Sequence, residues 1–145
     1  MNCDGCTACC LILPIPSIGK AAGEWCKDCD RGVGCKAWGK RPNACKGFRC
    51  AYFQMPKVSP VLRPDHGHVI FERLGGAMVG TLHPDYPDAH MRQPVLGQIQ
   101  HFLREGLSVI VSSFKHRRSQ VFPVAGKTGE QVWVEFDQQR KALWQ

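Results

Sequence analysis

Apolar and polar positions follow two different regimes along this chain. Up to about residue 50 there is little apolar periodicity; beyond residue 65 the pattern is regular. Residues 68–74 carry Val69, Ile70 and Phe71 and predict a strand. Gly75-Gly76 predicts a turn, and residues 77–82 a partner strand, which together make a hairpin. Residues 83–94 hold Pro84, Pro87 and Pro94 and predict a loop. Val95, Leu96, Ile99, Phe102 and Leu103 recur at helical spacing, with Gly106 as the stop. Leu107, Val109 and Val111 alternate and predict a strand over 107–112. Residues 120–125 predict another, held to a sheet edge because Pro123 cannot donate to a ladder. Residues 132–136 alternate as Val-Trp-Val-Glu-Phe and predict a final strand, with a short helix over 138–145. The expected fold class is α+β in a single domain, 1–145: a cysteine-rich segment (1–50) held by metal and packed on a small sheet with one or two helices. Residues 51–64, with Pro56, Pro60 and Pro64, predict an extended connection, and 65–145 form the α+β platform.

Composition explains why the first 50 residues lack a pattern. All nine cysteines lie there: Cys3, Cys6, Cys9, Cys10, Cys26, Cys29, Cys35, Cys45 and Cys50. Thiols oxidise and scavenge metals, so an array this dense implies sulfurs that bind something or each other. At 145 residues, 43% of them hydrophobic, the chain is long enough to bury a core without disulfides. No run approaches the roughly 20 apolar residues of a membrane span. The start, Met1-Asn2-Cys3-Asp4, has no basic n-region, and the apolar stretch at 11–15 is broken by Pro14. The expected setting is therefore the cytoplasm, where thiols stay reduced and a cysteine pattern points to metal and not to disulfides. The odd number of cysteines agrees.

Charge adds a qualification. The formal charge is +7, which ordinarily directs attention to nucleic acid. Metal-bound thiolates are anionic, so two zinc ions on eight thiolates lower the balance to about +3, and one 4Fe–4S cluster on four lowers it to about +5. Nucleic acid is thus not the expected partner; a metal ion and an unidentified protein are.

The spacing of the cysteines has chemical content. A C-x-x-C pair forms a knuckle that presents two sulfurs to one ion, about 2.3 Å from a zinc. Cys3-x-x-Cys6-x-x-Cys9 puts three sulfurs on one loop, and such a run also opens ferredoxin-type cluster sites. Gly5 leaves room for backbone to approach. Cys10, adjacent to Cys9, is expected to aim elsewhere and to serve a second centre. Cys26-x-x-Cys29 is a second knuckle, and Cys35, Cys45 and Cys50 close the site from another side. Zinc and an iron–sulfur cluster remain equal alternatives. Five basic residues and no acidic ones fall within 36–49, so Arg41, Lys46 and Arg49, with Lys36 and Lys40, are expected to neutralise an anionic thiolate cluster.

These stretches resemble a known family. Cys3-Asp4-Gly5-Cys6-Thr7-Ala8-Cys9-Cys10, Gly34-Cys35-Lys36-Ala37-Trp38 and Arg41-Pro42-Asn43-Ala44-Cys45-Lys46-Gly47-Phe48-Arg49-Cys50 are similar to the CxxCxxCC zinc- or iron-chelating proteins, the YkgJ-type cysteine cluster family. Residues 19–26, Leu62-Arg63-Pro64-Asp65 and Val69-Ile70-Phe71 also look like family sequence, so the resemblance covers residues 3–72. Ala37-Trp38 stands where the family often has Ile-Tyr, and Lys46 where Arg is common. The resemblance implies metal chelation by Cys3, Cys6, Cys9, Cys10, Cys26, Cys35, Cys45 and Cys50, with Cys29 as the extra member. It implies neither the metal nor a reaction.

The other candidates are weaker. His66-Gly67-His68 reads as a surface turn before the first strand. His83, Asp85, Asp88 and His90 share a Pro-rich loop and read as solvated, the alternative being a hard oxygen-rich metal site. Gly126-Lys127-Thr128 imitates the end of a phosphate-binding loop, but Val121 stands where that loop needs Gly. Lys115-His116-Arg117-Arg118 reads as a solvated basic turn between two strands. No nucleophile elbow, HExxH or dinucleotide fingerprint occurs. The expected function is zinc or iron handling, or a structural or redox metal centre. An iron–sulfur enzyme or enzyme subunit of unknown reaction and a zinc-stabilised interaction module are the alternatives, so enzymatic status stays open.

Overall fold

A computed structural model of the chain describes residues 3, 5–55 and 59–143. Pro56 of the expected connection, Asp4 of the first knuckle, and Trp144 and Gln145 of the expected last helix lie outside the described residues. The cysteine-rich part contains a single helical turn, α1 (Ala8–Ile12), a two-stranded ribbon of β1 (Cys29–Asp30) and β2 (Gly34–Cys35), and another short turn, α2 (Asn43–Gly47). The platform is a four-stranded sheet of β3 (Val69–Leu74), β4 (Ala77–Leu82), β5 (Ser108–Ser113) and β6 (Arg118–Phe122), in that spatial order. The β3–β4 and β5–β6 pairs are antiparallel hairpins, and β4 and β5 are parallel. That parallel step requires a crossover, supplied by α5 (Val95–Arg104) after two short turns, α3 (Ala51–Gln54) and α4 (Pro64–Gly67), earlier in the chain. The fold is α+β, with two small sheets and six helices among the described residues. No helix among them is long and apolar enough to cross a membrane.

The sheet is buried on both faces by different means. Register places Val69, Phe71, Met78, Leu82, Val109 and Val111 on one face, where they pack against Ile99 and Phe102 of α5. Gly80 lies opposite Phe71, and a Cβ there would sit 2.8 Å from the Phe71 ring, so the aromatic occupies the space a larger residue would need. Helix α5 stops in a glycine-dependent cap: Gly106, at φ 83, donates to Leu103 O, and Leu107 donates to Phe102 O. On the opposite face of β3, Ile70 packs with Ala8 and Ile12 of α1 and with Cys50, flanked by Leu13, Phe48 and Phe53. The cysteine segment is therefore attached to the sheet through its own apolar cluster.

Two sequence expectations are corrected. The described residues of 51–64 are not extended: α3 and the turn Pro60–Leu62 bury Ala51 and Leu62 in the main core. Residues 132–136 are not a strand but part of α6 (Gly129–Leu143). Thr128 and Gln131 cap this helix reciprocally, each side chain accepting the other's backbone N–H at 3.2 and 2.9 Å. Asp137 then pairs with Arg140 and Lys141 one turn on. Of the alternating apolar residues only Val132 is buried, while Trp133 and Val134 are exposed, so no sheet face claims the alternation.

Candidate metal centre

Backbone bonds gather three separated segments at α1. The Cys26 and Gly23 N–H groups donate to Cys10 O and Leu11 O, both at 2.9 Å, which ties the second knuckle to the end of the first. Thr7 Oγ1, buried just before α1, accepts from the Gly32 N–H at 3.0 Å and so holds the β1–β2 turn. Gly5, at φ 80, completes that joint: a Cβ there would lie 2.8 Å from Gly32 O. Pairing of β1 with β2 puts Cys29 directly across from Cys35.

The thiols consequently meet. The Cys10 thiol lies within hydrogen-bonding reach of the Cys9 and Cys29 sulfurs, its one S–H serving one of them at a time, and the Thr7 hydroxyl reaches Cys29 as a donor. Cys9 and Cys10 both lie on the helical turn α1 and interact there. The hydrogen bond from Cys10, against the opposing effect of burial, lowers the Cys9 thiol to about 7, while the same bond and burial push Cys10 far up. Burial likewise raises Cys29, Cys45 and Cys50. The negative charge of Cys9, Cys26 and Cys35 raises Cys45 further, and Arg41 opposes it. Cys6 stands at the sheet side, raised by burial to about 11, with its S–H on Asp65. Burial works against the Asp65 charge, but the Arg63 guanidinium at 2.8 Å keeps its carboxyl below the usual range. Cys3 O accepts the Cys6 N–H at 2.8 Å, closing the first knuckle. Cys50 is buried, and the other eight cysteines are half-buried.

The expected basic partners behave differently from one another. Arg41 lies over the Trp38 ring at 3.6 Å and reaches the field of Cys45. Arg49 donates to Lys46 O and Phe48 O, at 2.7 and 2.8 Å, and Lys46 is exposed. The cation that sequence reasoning overlooked is Lys20, only 7% exposed. Its ammonium donates to Leu11 O at 3.3 Å, Ala21 O at 3.1 Å and Leu13 O. Burial lowers the Lys20 pKa, and Cys26, Cys10 and Cys9 act to keep it charged. Nothing in its Gly- and Ala-rich neighbourhood signals this placement.

Thiol donors in contact suit a soft ion such as zinc or iron. Their arrangement is that of hydrogen-bonded pairs: among the described residues no group of three or more cysteine, histidine or acidic side chains is set around a common point to hold a metal. The loop residues are engaged with different partners. His83 Nδ1 accepts the Asp85 N–H at 3.1 Å and its ring meets His68 and Tyr86, while His68 stacks flat on Tyr86 at 3.7 Å. His90 is buried against Gln120 and Phe122. Asp85 and Asp88 pair with Lys115 and Arg118. His66 is exposed on α4. Comparison with models of known families, with curated proteins and with solved structures finds no match.

Proposed function

We propose that this chain is a cytoplasmic metal-binding protein that takes zinc or iron on its thiolates, the iron as ions or as a 4Fe–4S cluster. The observation that carries the reading is the gathering of three cysteine-bearing stretches by the Cys26-to-Cys10 backbone bond and by the pairing of Cys29 with Cys35 across the ribbon. Three stretches of chain, each rich in thiols, converge with no disulfide between them. Cys26 and Cys45 share the same electrostatic field, and Cys6 and Cys50 extend the donor set toward the sheet. A bound cation supplies the positive charge that ionises thiols otherwise raised by burial. Lys20 and Arg41 offset part of the negative charge that results. The sequence resemblance to the YkgJ-type cysteine cluster proteins supports the same reading, with metal handling or a redox or structural centre as its role.

Anaerobic purification followed by measurement of iron, acid-labile sulfide, zinc and the visible spectrum tests this. A brown protein with sulfide selects the iron–sulfur form, and a colourless one with stoichiometric zinc selects the zinc form. A colourless, folded protein with neither metal, and with all its thiols free and unable to take up added zinc or ferrous iron, refutes the proposal.

A further inference from the structure

A broad groove of about 810 Å³ opens beside the thiol array. That size falls among small-molecule sites, roughly 300–1,000 Å³. One wall contains Leu11 and Trp25, the chain neighbours of Cys10 and Cys26. The other is the β5–β6 turn with Phe114, Lys115 and Arg117, continued by Arg118. Ser112 and Ser119, cross-strand partners on the sheet face that also carries Ile110, complete the lining.

The charge of this groove has one sign in excess. Lys115, Arg117 and Arg118 meet one carboxylate in the lining, Asp85. Lys115 pairs with Asp85 at 3.7 Å and Arg118 with Asp88 at 3.5 Å, and all four side chains are more than half exposed. Ion pairs so exposed are weak and give way to a denser anion. Arg117 has no ion pair among the described residues, and the turn holds it at φ 48, in the left-handed region. The hydroxyls add direction. Ser112 and Ser119 share one hydrogen bond of 2.8 Å, in which one hydroxyl donates and the other keeps its hydrogen for an acceptor in the groove. Phe114, 51% exposed, gives the same wall a flat apolar surface about half open to solvent. The ring of Trp25 across the groove carries Arg31 at 4.5 Å, a further cation at that side.

We infer that this groove binds a small molecule that joins a phosphate group to a flat ring, of the nucleoside di- or triphosphate class. Arg117, Arg118 and Lys115 take the phosphates, with the forked guanidiniums matched to phosphate oxygens. The ring lies on Phe114, toward Trp25. The site is separate from the proposed metal centre and does not depend on it, although the two share the residues that join α1 to the second knuckle.

Calorimetric titration of the full chain with ADP, inorganic pyrophosphate, adenosine and single-stranded oligonucleotides of increasing length tests the assignment. ADP and pyrophosphate are expected to bind, and adenosine to bind more weakly than ADP. The double variant Arg117→Ala/Arg118→Ala weakens both phosphate ligands on the order of tenfold or more. Phe114→Ala weakens ADP and leaves pyrophosphate unchanged. These residues lie on an exposed turn, and circular dichroism verifies that each variant keeps its fold. Absence of ADP binding at millimolar concentration overturns the inference, as does binding indifferent to the arginine pair. Oligonucleotide affinity that exceeds that of ADP and rises with length also overturns it, in favour of a polynucleotide surface.

Discussion

Ile12→Ala and Ile99→Ala remove the same atoms from opposite sides of the sheet. Ile12, 1% exposed on α1, belongs to the cluster around Ile70 that attaches the cysteine segment. Ile99, fully buried on α5, belongs to the main core. Truncation of a buried isoleucine to alanine costs about 2–5 kcal/mol. If the cysteine segment opens while the sheet stays folded, Ile12 loses its contacts both in that opening and in global unfolding; Ile99 loses its contacts only in the latter. Amide hydrogen exchange reads the difference. The Gly23 and Cys26 amides, bonded to Leu11 O and Cys10 O, report the segment, and Val109 and Ile110 in β5 report the sheet. With Ile12→Ala both sets exchange faster, by about 30-fold or more for a loss near 2 kcal/mol. With Ile99→Ala only the β5 amides accelerate. Equal acceleration of Gly23, Cys26 and Val109 by Ile99→Ala would falsify the reasoning, because the two clusters would then open as one unit.

Three further outcomes follow from the same structure. Gly80→Ala places a methyl 2.8 Å from the Phe71 ring and 3.1 Å from Val69, both buried, and is expected to cost about 1–3 kcal/mol; scanning calorimetry should show Tm lowered by several degrees, and an unchanged Tm contradicts the packing. In chelator-treated protein, Cys9 has its pKa lowered to about 7, so its alkylation rate should climb as pH rises through 7 and level off above it. Cys10→Ala removes the S–H donor and leaves burial to raise Cys9, so the rise in alkylation should move to higher pH and the rate at pH 7, followed by peptide mass spectrometry, should fall; an unaltered profile rules out the thiol pair. Thr128→Ala deletes the acceptor for the Gln131 N–H and should destabilise the first turn of α6 by about 1 kcal/mol, seen as faster exchange at Gln131, with Thr128→Ser restoring protection.

The parts of the fold that sequence reading recovers are those where periodicity and burial coincide. Strands β3 and β4 are short, largely buried runs joined by a turn at Gly75-Gly76, and α5 buries Val95, Ile99 and Phe102 at helical spacing before Gly106 ends it. Residues 132–136 mislead because alternation there is not backed by burial, and the capping pair Thr128–Gln131 with the Asp137 ion pairs decides for helix. Two-residue strands such as β1 and β2 carry no period at all; their pairing depends on Thr7 and Gly5, which lie more than twenty residues away. The thiol array is legible as an array, since it needs only composition and spacing. Contacts within it are not, because they follow from the Cys26-to-Cys10 backbone bond and the ribbon register. Cys29 illustrates the point: sequence reading sets it aside as the extra cysteine, and the ribbon puts it across from Cys35 and within reach of Cys10.

The attachment of the cysteine segment bears on what a bound metal contributes. A segment with no apolar contacts of its own needs the ion to fold, and binding energy then becomes folding energy. Here Ala8 and Ile12 pack on Ile70, Lys20 satisfies three carbonyls, and Thr7 holds the ribbon turn, none of which involves a metal. For the metal centre proposed above, the ion's remaining work would be local: to replace protons on Cys9, Cys10 and Cys29 and to draw the half-buried thiols around one point. The half-buried thiols are also within reach of a chelator or partner, so a metal on them would be one that comes and goes and not only a staple. Chelation should accordingly change the chemistry of the thiols far more than the protection of the Gly23 and Cys26 amides. Loss of that protection on chelation would reverse the order of cause, and make the metal the anchor of the segment.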